Sequence, residues 1–161
     1  MSHSTQTTHK DIVKITADTI SLDEIAQSVH DPKAGAISTF SGTTRDNFED
    51  REVKTLSYEA YIPMAEKAMQ SLITTARSKW DDLIHVAIVH KIGDCPVGET
   101  SVVIAVSSGH RKQGLEAVHW LIDELKVQVP IWKKEVYVGH DAQTGAEIDG
   151  GAVWKANDTM I

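Results

Sequence analysis

Two runs rich in β-branched residues, LIHVAIVHKIG (83–93) and SVVIAVSSG (101–109), constrain this chain most. Gly93, Pro96 and Gly98 punctuate the stretch between them. The runs therefore read as a hairpin or as neighbouring strands, the second largely buried. A long helical pattern follows, HRKQGLEAVHWLIDELKVQV (110–129), closed by Pro130.

The flanking segments fill in the order. DIVKIT (11–16) alternates as a strand, and SLDEIAQSVHD sets Ser21 and Glu24 at capping-box spacing, so a helix starts there and ends by Pro32 and Gly35. AGAISTFSG (34–42) reads as a strand, and the polar GTTRDNFEDRE (42–52) as a loop with room to move. VKTLSYEAY (53–61) is a strand with Leu56 and Tyr58 inward. PMAEKAMQSLITTARSKW (63–80) is a helix opening on Pro63, with Met64, Ala68, Leu72 and Ala76 at helical spacing. IWKKEVYVG and GAVWKAN are strands joined by DAQTGAEIDG. The resulting order, β-α-β-β-α-β-β-α-β-β, predicts an α+β fold with helices on one face of a mainly antiparallel sheet. No GxGxxG or P-loop supports a doubly wound parallel sheet.

At 161 residues the chain fits one domain, expected over 11–161, and the polar MSHSTQTTHK reads as a disordered tail over 1–10. It lacks the apolar core of a signal peptide, and no apolar run is long enough to span a membrane, so the expected location is the cytosol. A single cysteine, Cys95, excludes an internal disulfide. In GDCPVGE it is either a nucleophile or a small turn residue. No adjacent base lowers its pKa, which favours the turn.

The net charge of −7 argues against non-specific nucleic-acid binding. The segment 107–134 runs against that average, with Arg111, Lys112, Lys126, Lys133 and Lys134 against Glu116, Asp123 and Glu124. Such a region suits a small anionic ligand or an acidic partner tail. At SSGHRK (107–112) a strand hands over to a helix whose free N–H groups, with His110 and Arg111, make an anion site. A capped helix with solvated bases is the alternative, but bases at a helix N-terminus oppose its dipole.

Further along, Leu115, Val118, Ile122, Leu125 and Val129 form an apolar stripe flanked by His119 and Lys126. Lys126 either complements the helix C-terminus or presents its amine to a cleft. In VPIWKKEVY, Lys133 shares a strand face with Ile131, Glu135 and Tyr137, and Lys134 shares the other with Trp132, Val136 and Val138. The Trp/Val/Val face reads as the core side, which turns Lys133 toward a partner or cleft. Arg45 sits in a loop, as a binding residue or a solvated one. Phe40 reads as core. His85, His90, His110, His119 and His140 show no metal-ligand spacing, and no cofactor is expected.

GAISTFSGTTRDNF, YEAYIPMAEKAM, VAIVHKIGDCPVGE and VVIAVSSGHRKQGLEAVHWLIDELKVQVPIWKKE together resemble the large, catalytic subunit of molybdopterin synthase, the MoaE family, from about Gly35 to Glu135. A weaker echo lies at VWKAN. The resemblance implies an α/β hammerhead fold with a ferredoxin-like core. It implies sulfur transfer to cyclic pyranopterin monophosphate, forming a dithiolene. The sulfur would come from a thiocarboxylate on the C-terminal Gly-Gly of a small ubiquitin-like partner. A central dimer of large subunits with a small subunit at each end, a heterotetramer, is also implied.

By position, the catalytic lysines of the family fall on Lys126 and Lys133, and its anion-binding residues on Arg45, His110 and Arg111. Lys134 and Glu135 belong to the same strand motif. Gly109 stands where the family usually has Ala, and Lys112-Gln113-Gly114 replaces smaller neutral residues. A non-catalytic docking subunit for a ubiquitin-like protein and a cysteine-dependent enzyme built on Cys95 are the rival readings.

Overall fold

The computed structural model describes residues 8–156. Its elements run β1 (Asp11–Thr16), α1 (Leu22–Ser28), β2 (Ala36–Thr43), β3 (Asn47–Phe48), β4 (Arg51–Ala60), α2 (Ile62–Lys79), β5 (Leu83–Lys91), β6 (Gly93–Pro96), β7 (Thr100–Ser108), α3 (Arg111–Gln128), β8 (Ile131–His140) and β9 (Glu147–Ala156). One sheet has the order β1-β5-β7-β2, and a second runs β3-β4-β8-β9 with β6 also on β4. Only the β1–β5 pair is parallel among the described strands. The architecture is α+β, with helices packed on a mainly antiparallel sheet, in keeping with a ferredoxin-like hammerhead.

β5 and β7 are antiparallel neighbours and are buried along almost their whole length. They need cover on both faces. Val86, Ile88, Ile104 and Val106 face α2 and α3, whereas Ala87 and Ala105 meet Ile25 and Val29 at α1. The helices therefore do not all lie on one face, because α1 takes the other. Ser21 caps α1 as its spacing predicts, its hydroxyl accepting the Glu24 N–H at 3.3 Å. Part of the expected tail lies outside the described residues. His9 and Lys10 are tied to β5, through Ile84 O at 2.9 Å and His85 Nδ1 at 3.0 Å.

Both long helices bury most of the predicted stripe but leave its first residue outside, Met64 in α2 and Leu115 in α3. In α2 the buried residues are Ala65, Met69, Leu72, Ile73 and Ala76, and Met64 is exposed. A strict four-residue repeat drifts roughly 120° from Met64 to Ala76, so those two cannot share one face. In α3 the buried face is Gly114, Ala117, Val118, Leu121, Ile122 and Leu125, with Leu115 exposed. Small residues let the helix approach the sheet there. A Cβ on Gly114 would stand 2.6 Å from Ser108 Oγ and 2.9 Å from Ser38 Oγ. Gly114→Ala should therefore destabilise the protein, by about 1–2 kcal/mol in urea denaturation, even though alanine is the better helix former.

The segment expected as a mobile loop contains a tight hairpin. Asn47 pairs with Glu52 and Phe48 with Arg51, while Glu49 and Asp50 both take positive φ, 47° and 61°. That is the two-residue hairpin geometry normally signalled by Asn-Gly, and Glu-Asp hides it. β9 begins at Glu147, earlier than expected.

Candidate functional site

A cavity of about 340 Å³ opens where the two sheets meet the C-terminal end of α3. Arg45, Lys126, Lys133 and Glu135 all line it. Each arrives by a different local device. Arg45 follows Thr44, which is buried and pinned to the β6–β7 turn: its N–H donates to Glu99 O at 3.1 Å, and its hydroxyl donates to Cys95 O at 3.1 Å. Lys126 is the base in the last turn of α3, next to the buried Leu125 and one turn after Ile122. Its charge suits the negative helix end, and its position sends the stem along the core edge into the cavity.

Lys133 and Glu135 lie on the buried face of β8. The Ile131, Lys133, Glu135, Tyr137 face is the inward one, and Trp132 is 46% exposed. This reverses the expected core side. Apolar content points to the Trp/Val/Val face, but β8 lies inside the second sheet, and its polar face is the one closed over by the cavity walls. Lys133 does face the cleft. Lys134 points the other way, its Nζ 5.7 Å from the Trp154 ring, and does not line the cavity.

Glu135 is 2% exposed and stays ionised through its partners. Burial alone would raise its pKa, yet the Tyr137 hydroxyl and the Lys155 and Lys133 ammonium groups hold it below the ordinary carboxyl value. Lys155 Nζ lies 3.1 Å from Oε2, the oxygen that also takes the Tyr137 hydroxyl, and Lys133 Nζ lies 3.6 Å from Oε1. A carboxylate with a depressed folded-state pKa contributes stability above the ordinary carboxyl range and loses it as pH falls through the folded value. The urea midpoint should thus drop on acidification below about pH 4, and drop less in Glu135→Gln, which starts lower at neutral pH.

The Lys133 amine is pushed below the ordinary lysine value, first by burial and then by Lys126 and Lys155, against the pull of Glu135. Arg111 has no part in that shift. Burial lowers His90 to about 4 and raises Tyr58 to about 12. His90 Nδ1 lies 2.7 Å from Lys91 O, and its ring meets Tyr58 edge-on at 5.0 Å. The lowered pKa of Lys133 in this cavity suits a group that exchanges a proton.

His110 and Arg111 lie elsewhere. They start α3, whereas Lys126 ends it, so some 15 residues and about 22 Å of helix separate them. Both are exposed and border a shallow groove with Gly35, Gly109 and Lys112. Asp82 accepts the His110 N–H at 2.7 Å, and a Cβ on Gly109 would stand 2.4 Å from its Oδ1. Gly109 therefore leaves room for that carboxylate. One chain does not bring its two basic clusters together.

Sequence reasoning missed Lys155, Tyr137 and Phe48. No local signal marks Lys155, which the antiparallel β8–β9 register sets opposite Lys133. Cys95 is buried, with its thiol raised chiefly by that burial, and Thr44 Oγ1 3.3 Å from its sulfur. That is the environment of a turn and core residue, not of an activated nucleophile. Among the described residues no helix is long and apolar enough to cross a membrane.

The chain matches the family model described as MoaE protein over residues 15–128. It is 56% identical over 131 residues to the molybdopterin synthase catalytic subunit of Arabidopsis thaliana, covering 81% of this chain and 60% of that relative's length. The human molybdopterin synthase catalytic subunit is 47% identical over 148 residues, covering 92% of this chain and 72% of the relative. The crystal structure of molybdopterin synthase from Staphylococcus aureus superposes with a TM-score of 0.77 at 33% identity, covering 88% of this chain and 94% of that one.

Proposed function

Because this chain belongs to the MoaE family, we propose that it is the catalytic, sulfur-transferring subunit of a molybdopterin synthase. The observation that carries the reading is the convergence of Arg45, Lys126 and Lys133 on one cavity of small-molecule size, with the Lys133 amine biased toward its neutral form. The substrate is cyclic pyranopterin monophosphate. The sulfur donor is a small ubiquitin-like subunit whose C-terminal Gly-Gly carries a thiocarboxylate. In each transfer the thiocarboxylate sulfur bonds to a pterin side-chain carbon as that carbon's C–O bond breaks and the oxygen leaves, and water then cleaves the resulting thioester, leaving sulfur on the pterin and a carboxylate on the partner's tail. Two tails are consumed per dithiolene.

The residues divide the work. Arg45 and Lys126 meet the negative charge of the phosphate and of the incoming thiocarboxylate. Lys133, its pKa lowered by burial and by the neighbouring Lys126 and Lys155, moves a proton during sulfur addition. Glu135 orients the Lys133 amine. Lys134 serves on the opposite face of the strand, where a partner or second subunit packs. His110 and Arg111 hold the phosphate from a second copy of the chain, because their own cleft lies a helix length away. A dimer of this chain with one small subunit at each end satisfies that requirement. The segment 11–161 acts as one domain in the cytosol.

The test measures partner binding and pterin conversion in one anaerobic sample. Binding together with dithiolene product supports the reading. Tight binding with no conversion supports a docking subunit instead.

A further inference from the structure

We infer that Lys155 is a positioning residue of the cleft, holding one oxygen of Glu135 so that the other stays turned toward Lys133. This deepens the proposed function, on which the role of Lys133 rests. Lys155 stands directly opposite Lys133 across the β8–β9 ladder, so both side chains leave the sheet on the same side. The carboxylate between them is shared unequally. Oε2 receives the Tyr137 hydroxyl and Lys155 Nζ at 3.1 Å, and Oε1 faces Lys133 Nζ at 3.6 Å.

The other side of Lys155 is also fixed. Its ammonium lies 3.8 Å from the centre of the Phe48 ring, and Phe48 lines the cavity. A short hairpin on one wall and a buried carboxylate on the other thus meet at one cation. Arg51 of the same hairpin strengthens that closure, stacking 3.7 Å above the Tyr137 ring and donating to Gly150 O at 2.7 Å. A buried carboxylate with two fixed donors on one oxygen has one orientation left for the other.

The charged and titratable groups around the Lys133 amine are Glu135 on its own strand, Lys155 on β9, Lys126 on α3, Tyr58 opposite it on β4, and Arg45 and His90 in the cavity wall. Removing Lys155 takes away one cation and frees Glu135 to swing fully onto Lys133. Both effects favour the charged amine.

The experiment follows the Lys133 side-chain carbon by NMR through a pH titration of the full chain. Wild type is compared with Lys155→Met, which keeps the stem on Phe48, with Lys155→Gln as a second neutral variant, and with Lys155→Arg. The expected result is a Lys133 midpoint that moves up toward the ordinary lysine value in Met and Gln and stays low in Arg. An unchanged midpoint in both neutral variants overturns the inference. Turnover should fall on the order of tenfold in Lys155→Met, with KM for the partner tail held, and recover in Lys155→Arg. If wild type converts no pterin, the functional reading fails, while the Lys133 titration still decides the role of Lys155.

Discussion

Lys133→Ala is expected to lower the rate of dithiolene formation by about a thousandfold, the scale of a lost general acid–base group acting in a closed site. The fold should survive, because the substitution removes a half-buried cation from a strand whose other inward residues, Ile131 and Tyr137, remain packed. Partner binding should also survive, since the cleft keeps Lys126 and Arg45. Lys126→Ala costs less, roughly a hundredfold, as expected for a lost electrostatic contact. Lys133→Arg separates the two roles open to the amine. Arginine stays charged at every accessible pH, so it cannot act as a neutral base. It should be as inactive as alanine. Recovery with arginine would reduce Lys133 to a fixed positive charge. Rapid-quench product analysis under single-turnover conditions reads all three variants.

The second large effect is a gain. Arg111→Ala and Lys133→Ala are each expected to be nearly inactive alone. Mixed and allowed to exchange subunits, they should regain about a quarter of wild-type activity. Half of the dimers are then hybrid, and each hybrid has one site built from an intact cleft and an intact partner helix start. α3 keeps Arg111 and Lys126 at opposite ends of one rigid rod, so one chain cannot bring both to the same site. No recovery after verified subunit exchange would mean that the two clusters do not serve a shared site.

Much of this was written in the sequence, though unevenly. Local signals located the Ser21 cap, the β5–β7 pair, α3 and its stop before Pro130. Lys126 beside the core edge and Lys133 toward a cleft followed from periodicity together with the family resemblance. Periodicity failed where tertiary context reversed it. The Trp132 face of β8 looks apolar enough to be core, yet the buried side carries Lys133 and Glu135, because charges there neutralise one another. The Phe48 hairpin was hidden because Glu49 and Asp50 adopt positive φ without glycine. Lys155 was hidden because strand register, not spacing along the chain, brings it to Glu135. The separation of Arg111 from Lys126 was legible from helix length alone.

The most direct measurement counts sulfur. Wild-type protein, a thiocarboxylated ubiquitin-like partner and cyclic pyranopterin monophosphate are combined without oxygen for one turnover, and mass spectrometry follows the partner tail and the pterin together. The account predicts two thiocarboxylates converted to carboxylates for each dithiolene formed, with neither change in Lys133→Ala. Thiocarboxylate loss without sulfur on the pterin, or product formed equally well by Lys133→Ala, would contradict it.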